Sequence, residues 1–272
     1  MSVLICPNCG APFREDAHGA RCENGHCFDR AKEGYLNLTI GSRSGEGRGD
    51  SRASARARHE FLSKGYYSCL RDAVSSKLQG TVLDICCGEG YYDTYDGPFY
   101  GFDLSKEMVR LAARRHRAEN YHYFVANLAH IPVADGSIDT AIHLFAPFHD
   151  AEFSRVLKPD GRLYSVIPGA DHLIEMKEQV YETPYRNDEA APETQRLRLL
   201  GRETVKQQVS IGREDLKELF SMTPYYYRTS VENRAKLDRV EQMDLTVHFV
   251  ILQYGKQEAQ WPDQKTPNEK KK

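Results

Sequence analysis

The chain has no apolar run approaching the roughly 20 residues of a membrane span, and Met1 to Ile5 is too short for a secretion signal. These absences exclude a helical membrane protein and lead us to expect a cytoplasmic one. Excess charge of either sign is also missing: 37 basic residues stand against 39 acidic ones, a net charge of −2. Attraction to nucleic acid therefore has to come from local basic segments rather than from the whole surface. No internal repeat is present, which argues against a solenoid. What remains is 272 residues, 40% apolar and 28% charged, enough for one large domain or two unequal ones around a real core.

In a reducing compartment cysteine has little use as disulfide, yet four of the seven cysteines crowd into "CPNCGAPFREDAHGARCENGHC", residues 6–27. Cys6 and Cys9 form a CxxC knuckle. After twelve intervening residues Cys22 and His26 supply a second pair. Two close pairs of soft or borderline donors suit tetrahedral zinc, and four protein ligands leave no open position, so the metal is expected to be structural. Cys27 competes with His26 for the fourth position, and spacing alone does not choose between them. Pro7, Gly10 and Gly25 stand where tight knuckle turns would want them. A redox CxxC is the competing chemistry.

The small zinc module is expected to occupy 1–40, where "FDRAKEGYLNLT" alternates enough to add a strand. An Arg-rich linker and helix follow over 41–64, with Arg43, Arg48, Arg52, Arg56 and Arg58 opposed by few acids and a helix start at Ser51 or Ser54. A solvated tether and an RNA-phosphate contact both explain it. The third unit, 65–254, changes rhythm from Thr81 onward. "TVLDI", "FYGFD", "YHYFVAN", "SIDTAIHLF" and "GRLYSVIPG" read as strands, separated by helices such as "SKEMVRLAARRHR", capped by Ser105. Alternating β and α units predict an α/β fold, an open, mostly parallel sheet with ligands at the carboxyl ends of its strands. The polar stretch 176–212 reads as a helix followed by an irregular insertion. "LTVHFVILQYG" reads as an antiparallel finish to the sheet, and 255–272 as a disordered tail.

The first strand feeds directly into Gly88, Glu89 and Gly90, where a sharp turn must let a ligand lie against backbone. Asp103, at the end of the second strand, is suited to accept hydrogen bonds from both hydroxyls of a ribose. A phosphate-binding G-x-G-x-x-G would need a third glycine, but the chain continues Tyr91, Tyr92, Asp93. Aromatic and acidic groups favour a cationic sulfonium and an amino acid over a pyrophosphate, and hence S-adenosylmethionine over NAD. Only twelve residues separate Gly90 from Asp103, too few for a full crossover helix.

Taken together, "DICCGEGYY", "GFDLSK", "LKPDGRLYSVIPGADHLIEMK" and "CPNC…CENGHCFDRAKEGYLNL" resemble the 23S rRNA (guanine-N1)-methyltransferase family, in which a zinc module precedes a class I, Rossmann-like methyltransferase domain. The resemblance covers nearly the whole chain before the tail. It implies that Cys6, Cys9, Cys22 and His26 hold zinc in a module that helps grip an rRNA hairpin. It further implies that Tyr67 and His172 line the S-adenosylmethionine site with Tyr92 and Asp93, that 23S rRNA is the partner, and that a homodimer can form.

Guanine N1 carries a proton at neutral pH that must leave before or during attack on the methyl group. No base is legible in the sequence. "HLFAP" follows the fourth strand, where related enzymes keep a substrate-facing loop, so His143, Phe145 and Pro147 are substrate-pocket candidates, with Phe145 suited to stack on a flipped base. Ordinary strand-end packing explains His143 and Phe145 equally well. The basic helix end with Arg110, Arg114, Arg115 and Arg117 is likewise explained by the helix dipole.

Overall fold

The structure, a computed structural model, describes residues 2–40, 52–223 and 225–257. The segment with Arg43 and Arg48, and the part of the expected 255–272 tail from residue 258 onward, lie outside the described residues, whereas Gly255 and Lys256, expected in that tail, end the last strand of the sheet. At the N-terminus, β1 (Phe13–Glu15), β2 (Gly19–Cys22) and β3 (Cys27–Asp29) form a small antiparallel sheet. After β4 (Leu36–Asn37) come two helices, α1 (Arg52–Ser63) and α2 (Ser68–Ser75). Then β5 (Val82–Ile85), β6 (Phe99–Asp103), α3 (Lys106–Arg115), β7 (Tyr121–Val125), β8 (Ile138–Leu144), α4 (Asp150–Val156) and β9 (Leu157–Pro168) alternate as expected. The chain ends with α5 (Ile174–Val180), β10 (Leu197–Gly212), α6 (Arg213–Met222), α7 (Val231–Ala235) and β11 (Gln242–Lys256).

The main sheet runs in the order β10-β11-β9-β8-β5-β6-β7-β4. Every neighbouring pair from β9 to β4 is parallel, and β11 is antiparallel to both β9 and β10. The chain leaves β5 toward β6 and β7, then returns to β8 on the other side. A crevice therefore opens at the carboxyl end of β5, where the winding reverses. This is the class I methyltransferase arrangement, with one antiparallel strand near the end of an otherwise parallel sheet.

Local chemistry explains the elements. All four residues of β5 are buried, as befits a central strand covered on both faces. In α3, Met108, Val109, Ala112 and Ala113 form the buried stripe, and Ser105 Oγ accepts from the Met108 N–H at 3.4 Å. No helix forms between β5 and β6. Tyr91 and Tyr92 instead fold into the core against Phe61, Leu62, Tyr67, Leu70 and Val74, so α1 and α2 cover the sheet face that a crossover helix would have covered.

Two expectations are corrected. The stretch expected as a helix and irregular insertion contains α5 and then a 16-residue strand, β10. Most of its residues are exposed, so it carries no apolar alternation, and its order comes from an extended backbone ladder with β11. The strand read in "FDRAKEGYLNLT" is also divided: β3 stays with the small sheet, whereas Leu36–Asn37 pairs with Phe124–Val125 of β7. Leu4 forms a further bridge to Val133. The end of the zinc module thus completes the edge of the main sheet.

Leu36 is 1% exposed and belongs to the same core as Phe102 and Phe124. Leu36→Ala is expected to cost about 2–4 kcal/mol in urea denaturation, lowering the main transition rather than only detaching the zinc module. An unchanged main transition would mean that β4 is a passive edge.

Candidate functional site

The two knuckles are built by turns that need left-handed glycine. Gly10 (φ 74°) lets its N–H donate to Cys6 O at 2.7 Å, and Gly25 (φ 82°) donates to Cys22 O at 3.0 Å. The ligand atoms of Cys6, Cys9, Cys22 and His26 all lie within 4.8 Å of one another. Zinc held at its usual bond lengths defines tetrahedral edges of about 3.8 Å between sulfurs and about 3.5 Å between sulfur and nitrogen. Cys9 Sγ and Cys22 Sγ are 3.7 Å apart, and His26 Nδ1 lies 3.5 Å from Cys6 Sγ and 3.4 Å from Cys22 Sγ. The donor set fits zinc. Asn24 donates to Cys9 Sγ at 3.3 Å, supporting the ligand from outside. Cys27 is exposed and its thiol donates to Gly25 O, which leaves His26 as the fourth ligand. Cys9→Ser is expected to lower bound zinc well below one equivalent by elemental analysis, whereas Cys27→Ser leaves it unchanged; the reverse pattern would reassign the fourth ligand.

A cavity of about 570 Å³ opens at the carboxyl ends of β5, β6, β8 and β9, a volume suited to a nucleoside-sized ligand. It gathers Tyr67, Gly88, Glu89, Tyr92, Asp103 and His172 from the expected cofactor residues, together with His143 and Phe145 from the expected substrate loop. Gly90, Asp93 and Pro147 are not among its lining residues. Asp103 accepts from the Gly88 N–H at 3.1 Å and from the Ser105 N–H at 2.8 Å, fixing the glycine turn to the end of β6. Beside Gly88 (φ 55°), a Cβ would meet nothing within 4 Å, so this backbone faces open space. Gly90 is needed for the opposite reason: a Cβ there would press Ala112 at 3.0 Å. A partly exposed carboxylate over an open glycine turn fits the adenosine part of S-adenosylmethionine.

Asp93 is fully buried under the turn, accepting from Tyr123 Oη at 2.6 Å beside Asp84. Burial raises both carboxyls, and two acids so close keep one of them protonated. Glu89 is 1% exposed and receives Arg115 at 2.6 Å and His59 at 2.6 Å, so its side chain locks the turn to α3 and α1.

The two cavity histidines are neutral and committed. His143 donates from Nε2 to Pro147 O at 3.2 Å and accepts at Nδ1 from Ser165 Oγ at 3.1 Å. His172 accepts the His248 N–H at Nδ1, 3.2 Å, leaving Nε2–H directed at Tyr67 Oη, 3.4 Å away. Burial pushes their pKa values down from 6.5 to about 4 and about 3. Since the unfolded chain protonates both near 6.5, the stability gained by keeping them neutral is complete above that pH and is lost as pH falls toward 4 and 3. His172→Asn, whose side-chain oxygen can still accept from His248, is expected to flatten the acid limb of the stability curve by up to about 1.4 kcal/mol per pH unit in urea titrations. An unchanged limb would mean that His172 is protonated in the native state.

Among the described residues, three non-glycine positions have positive φ: Cys86 (61°), Phe145 (57°) and Leu173 (55°). Cys86 and Phe145 line the cavity and Leu173 follows His172, so backbone strain is concentrated at the site. At Cys86 the left-handed conformation is one that glycine adopts without the steric cost a Cβ carries. Phe145, 47% exposed, is held at the cavity wall with its ring 5.7 Å from that of Phe249.

Sequence reasoning missed Arg58, Ser165, Pro192, Met222 and Tyr225, which also line the cavity. Tyr225 belongs to an aromatic run visible in the sequence, but its direction was not. Behind it, fully buried Lys177 lies 4.5 Å from the Tyr185 ring and 4.8 Å from the Tyr225 ring, and donates to Asn187 Oδ1 at 2.7 Å. This buried cation holds the segment before β10 against the cavity. The arginines at the end of α3 are mostly committed as well: Arg110 pairs with Glu107, Arg114 with Glu33 and Arg115 with Glu89, while Arg117 is exposed. Arg117 and Lys32 border a second cleft of about 560 Å³ between α3 and the zinc module, floored by His116 and Tyr121.

Residues 4–39 match the family model described as RlmA, N-terminal, a zinc ribbon, and residues 82–161 match a methyltransferase domain. A Streptomyces fradiae protein described as 23S rRNA (guanine(748)-N(1))-methyltransferase is 29% identical over 274 residues, covering 92% of this chain and 96% of that one. A Bacillus subtilis (strain 168) protein, described as the putative 23S rRNA (guanine-N(1)-)-methyltransferase YxjB, is 29% identical, covering 93% of this chain and 96% of its own. Among solved structures, the YcgJ protein of Bacillus subtilis covers 74% of this chain and 99% of its own at 19% identity and a TM-score of 0.44.

Proposed function

We propose that this chain, which joins a zinc ribbon to a methyltransferase domain and belongs to the 23S rRNA (guanine-N1)-methyltransferase family, methylates guanine N1 in a 23S rRNA hairpin loop. The observation that carries the reading is the conjunction of an open glycine turn held by Asp103 with a partly exposed aromatic, Phe145, across the same cavity.

S-adenosylmethionine, when bound, supplies a methyl group activated by its cationic sulfur. In this reading the Asp103 carboxylate accepts the ribose hydroxyls with its remaining lone pairs, and Gly88 lets the nucleoside lie against backbone. Tyr67, Tyr92 and the Nε2–H of His172 close the side nearest α1 and α2 and exclude water. Phe145 offers a face on which an extruded guanine stacks, its strained backbone fixing the ring at the mouth. His143 positions that loop through Pro147 O rather than taking the N1 proton, since both its nitrogens are engaged. Arg117 and Lys32, bordering the second cleft, are suited to RNA phosphates, with the zinc ribbon forming one wall.

Incubation with labelled S-adenosylmethionine and unmodified 23S rRNA is expected to yield 1-methylguanosine at one hairpin position, identified by mass spectrometry and located by primer extension. A zinc-loaded preparation that binds the cofactor but labels only small molecules, or labels nothing, would overturn the assignment.

A further inference from the structure

The cavity has a lopsided charge pattern. Three carboxylic residues line it, Asp84, Glu89 and Asp103, and among the described lining residues Arg58 is the single Arg or Lys. S-adenosylmethionine carries two positive groups, its sulfonium and its α-ammonium, and one negative group, its α-carboxylate. Asp103 suits a positive group, whereas Glu89 is already held by Arg115 and His59 and burial raises the Asp84 carboxyl. The cofactor carboxylate, brought out of water, requires a cation opposite it.

We propose that Arg58 receives the α-carboxylate at the methionine end of the cofactor. This rests on the reading of the cavity as a S-adenosylmethionine pocket and adds the residue that holds the end farthest from adenine. The geometry of α1 supports it. Arg58 and Leu62 are one turn apart on the same helix face and both line the cavity, while Phe61 and Leu62 are buried in the core beside Tyr67 and Tyr92. The helix cannot drift from the cofactor turn, because His59 Nδ1 lies 2.6 Å from Glu89 Oε2 and Arg115 donates to the same oxygen. Arg58 is therefore presented on a fixed element next to Tyr92, close enough for its charge to act on that phenol. A planar guanidinium matches a carboxylate with two parallel hydrogen bonds, which a lysine at the same place would not reproduce. Arg56, in the same helix, is not among the cavity-lining residues; it is exposed and pairs with Glu60.

The test compares two ligands that differ only at the carboxylate, S-adenosylhomocysteine and its decarboxylated analogue S-adenosyl-3-thiopropylamine, by calorimetry on the full zinc-loaded chain. Arg58→Ala is expected to weaken S-adenosylhomocysteine roughly tenfold or more while changing the analogue by less than about twofold, and Arg58→Lys to fall between. Bound zinc and the thermal transition report that each variant is folded, and Arg58→Gln gives the same comparison if alanine unsettles α1. An equal loss for both ligands, or no loss for either, overturns the proposal. So does a loss confined to rRNA affinity, which would give the guanidinium to a phosphate instead. A wild-type chain that binds neither nucleoside would remove the cofactor reading itself, a result distinct from any behaviour of Arg58.

Discussion

Asp103 accepts the Gly88 N–H at 3.1 Å, and the site is organised around this contact between the end of β6 and the turn that leaves β5. The turn passes through positive φ at Cys86, Gly88 and Gly90, a path that costs energy at the cysteine and leaves amides without helical partners. One carboxylate steadies it from above through Gly88, and Glu89 anchors it sideways to Arg115 and His59. Below it, buried Asp93 accepts from Tyr123 Oη beside Asp84. The result is an open stretch of backbone at the point where the sheet reverses its winding.

Losing the crossover helix has consequences for the whole N-terminal half. With no helix between β5 and β6, the face of the sheet is covered by α1, α2, Tyr91 and Tyr92. α1, the helix within the Arg-rich segment, is thereby drawn into the cavity wall. The zinc module is fastened in the same way, by Leu36 in the main sheet and Leu4 against Val133. The ribbon and the cavity are therefore joined through one sheet.

Much of this was legible in the sequence for identifiable reasons. The zinc cluster is local, and its turns demand glycine at Gly10 and Gly25. The strands β5 to β9 are apolar runs punctuated by caps such as Ser105, and Asp103 falls at a fixed distance from the glycine turn. What escaped was long-range. β10 has no apolar pattern because it sits at an edge with most of its side chains in water. The position of Leu36 in the larger sheet depends on a partner, Phe124, far along the chain. Arg58 read as one more linker arginine, since only the folding of α1 over Tyr92 gives it a place on the cavity wall. His143 and His172 were visible as residues, but their tautomers are set by Ser165, Pro147 and His248, which no spacing links to them.

The central claim is that the open turn beside Asp103 is where the adenosine of S-adenosylmethionine lies, with its sulfur directed toward Phe145. A crystal structure of the chain with S-adenosylhomocysteine tests this most directly. The account predicts both ribose hydroxyls within hydrogen-bonding distance of the Asp103 carboxylate, and the thioether between Gly88 and the Phe145 loop. Density for the ligand in the second cleft beside Arg117, or in the cavity with its ribose away from Asp103, would contradict it.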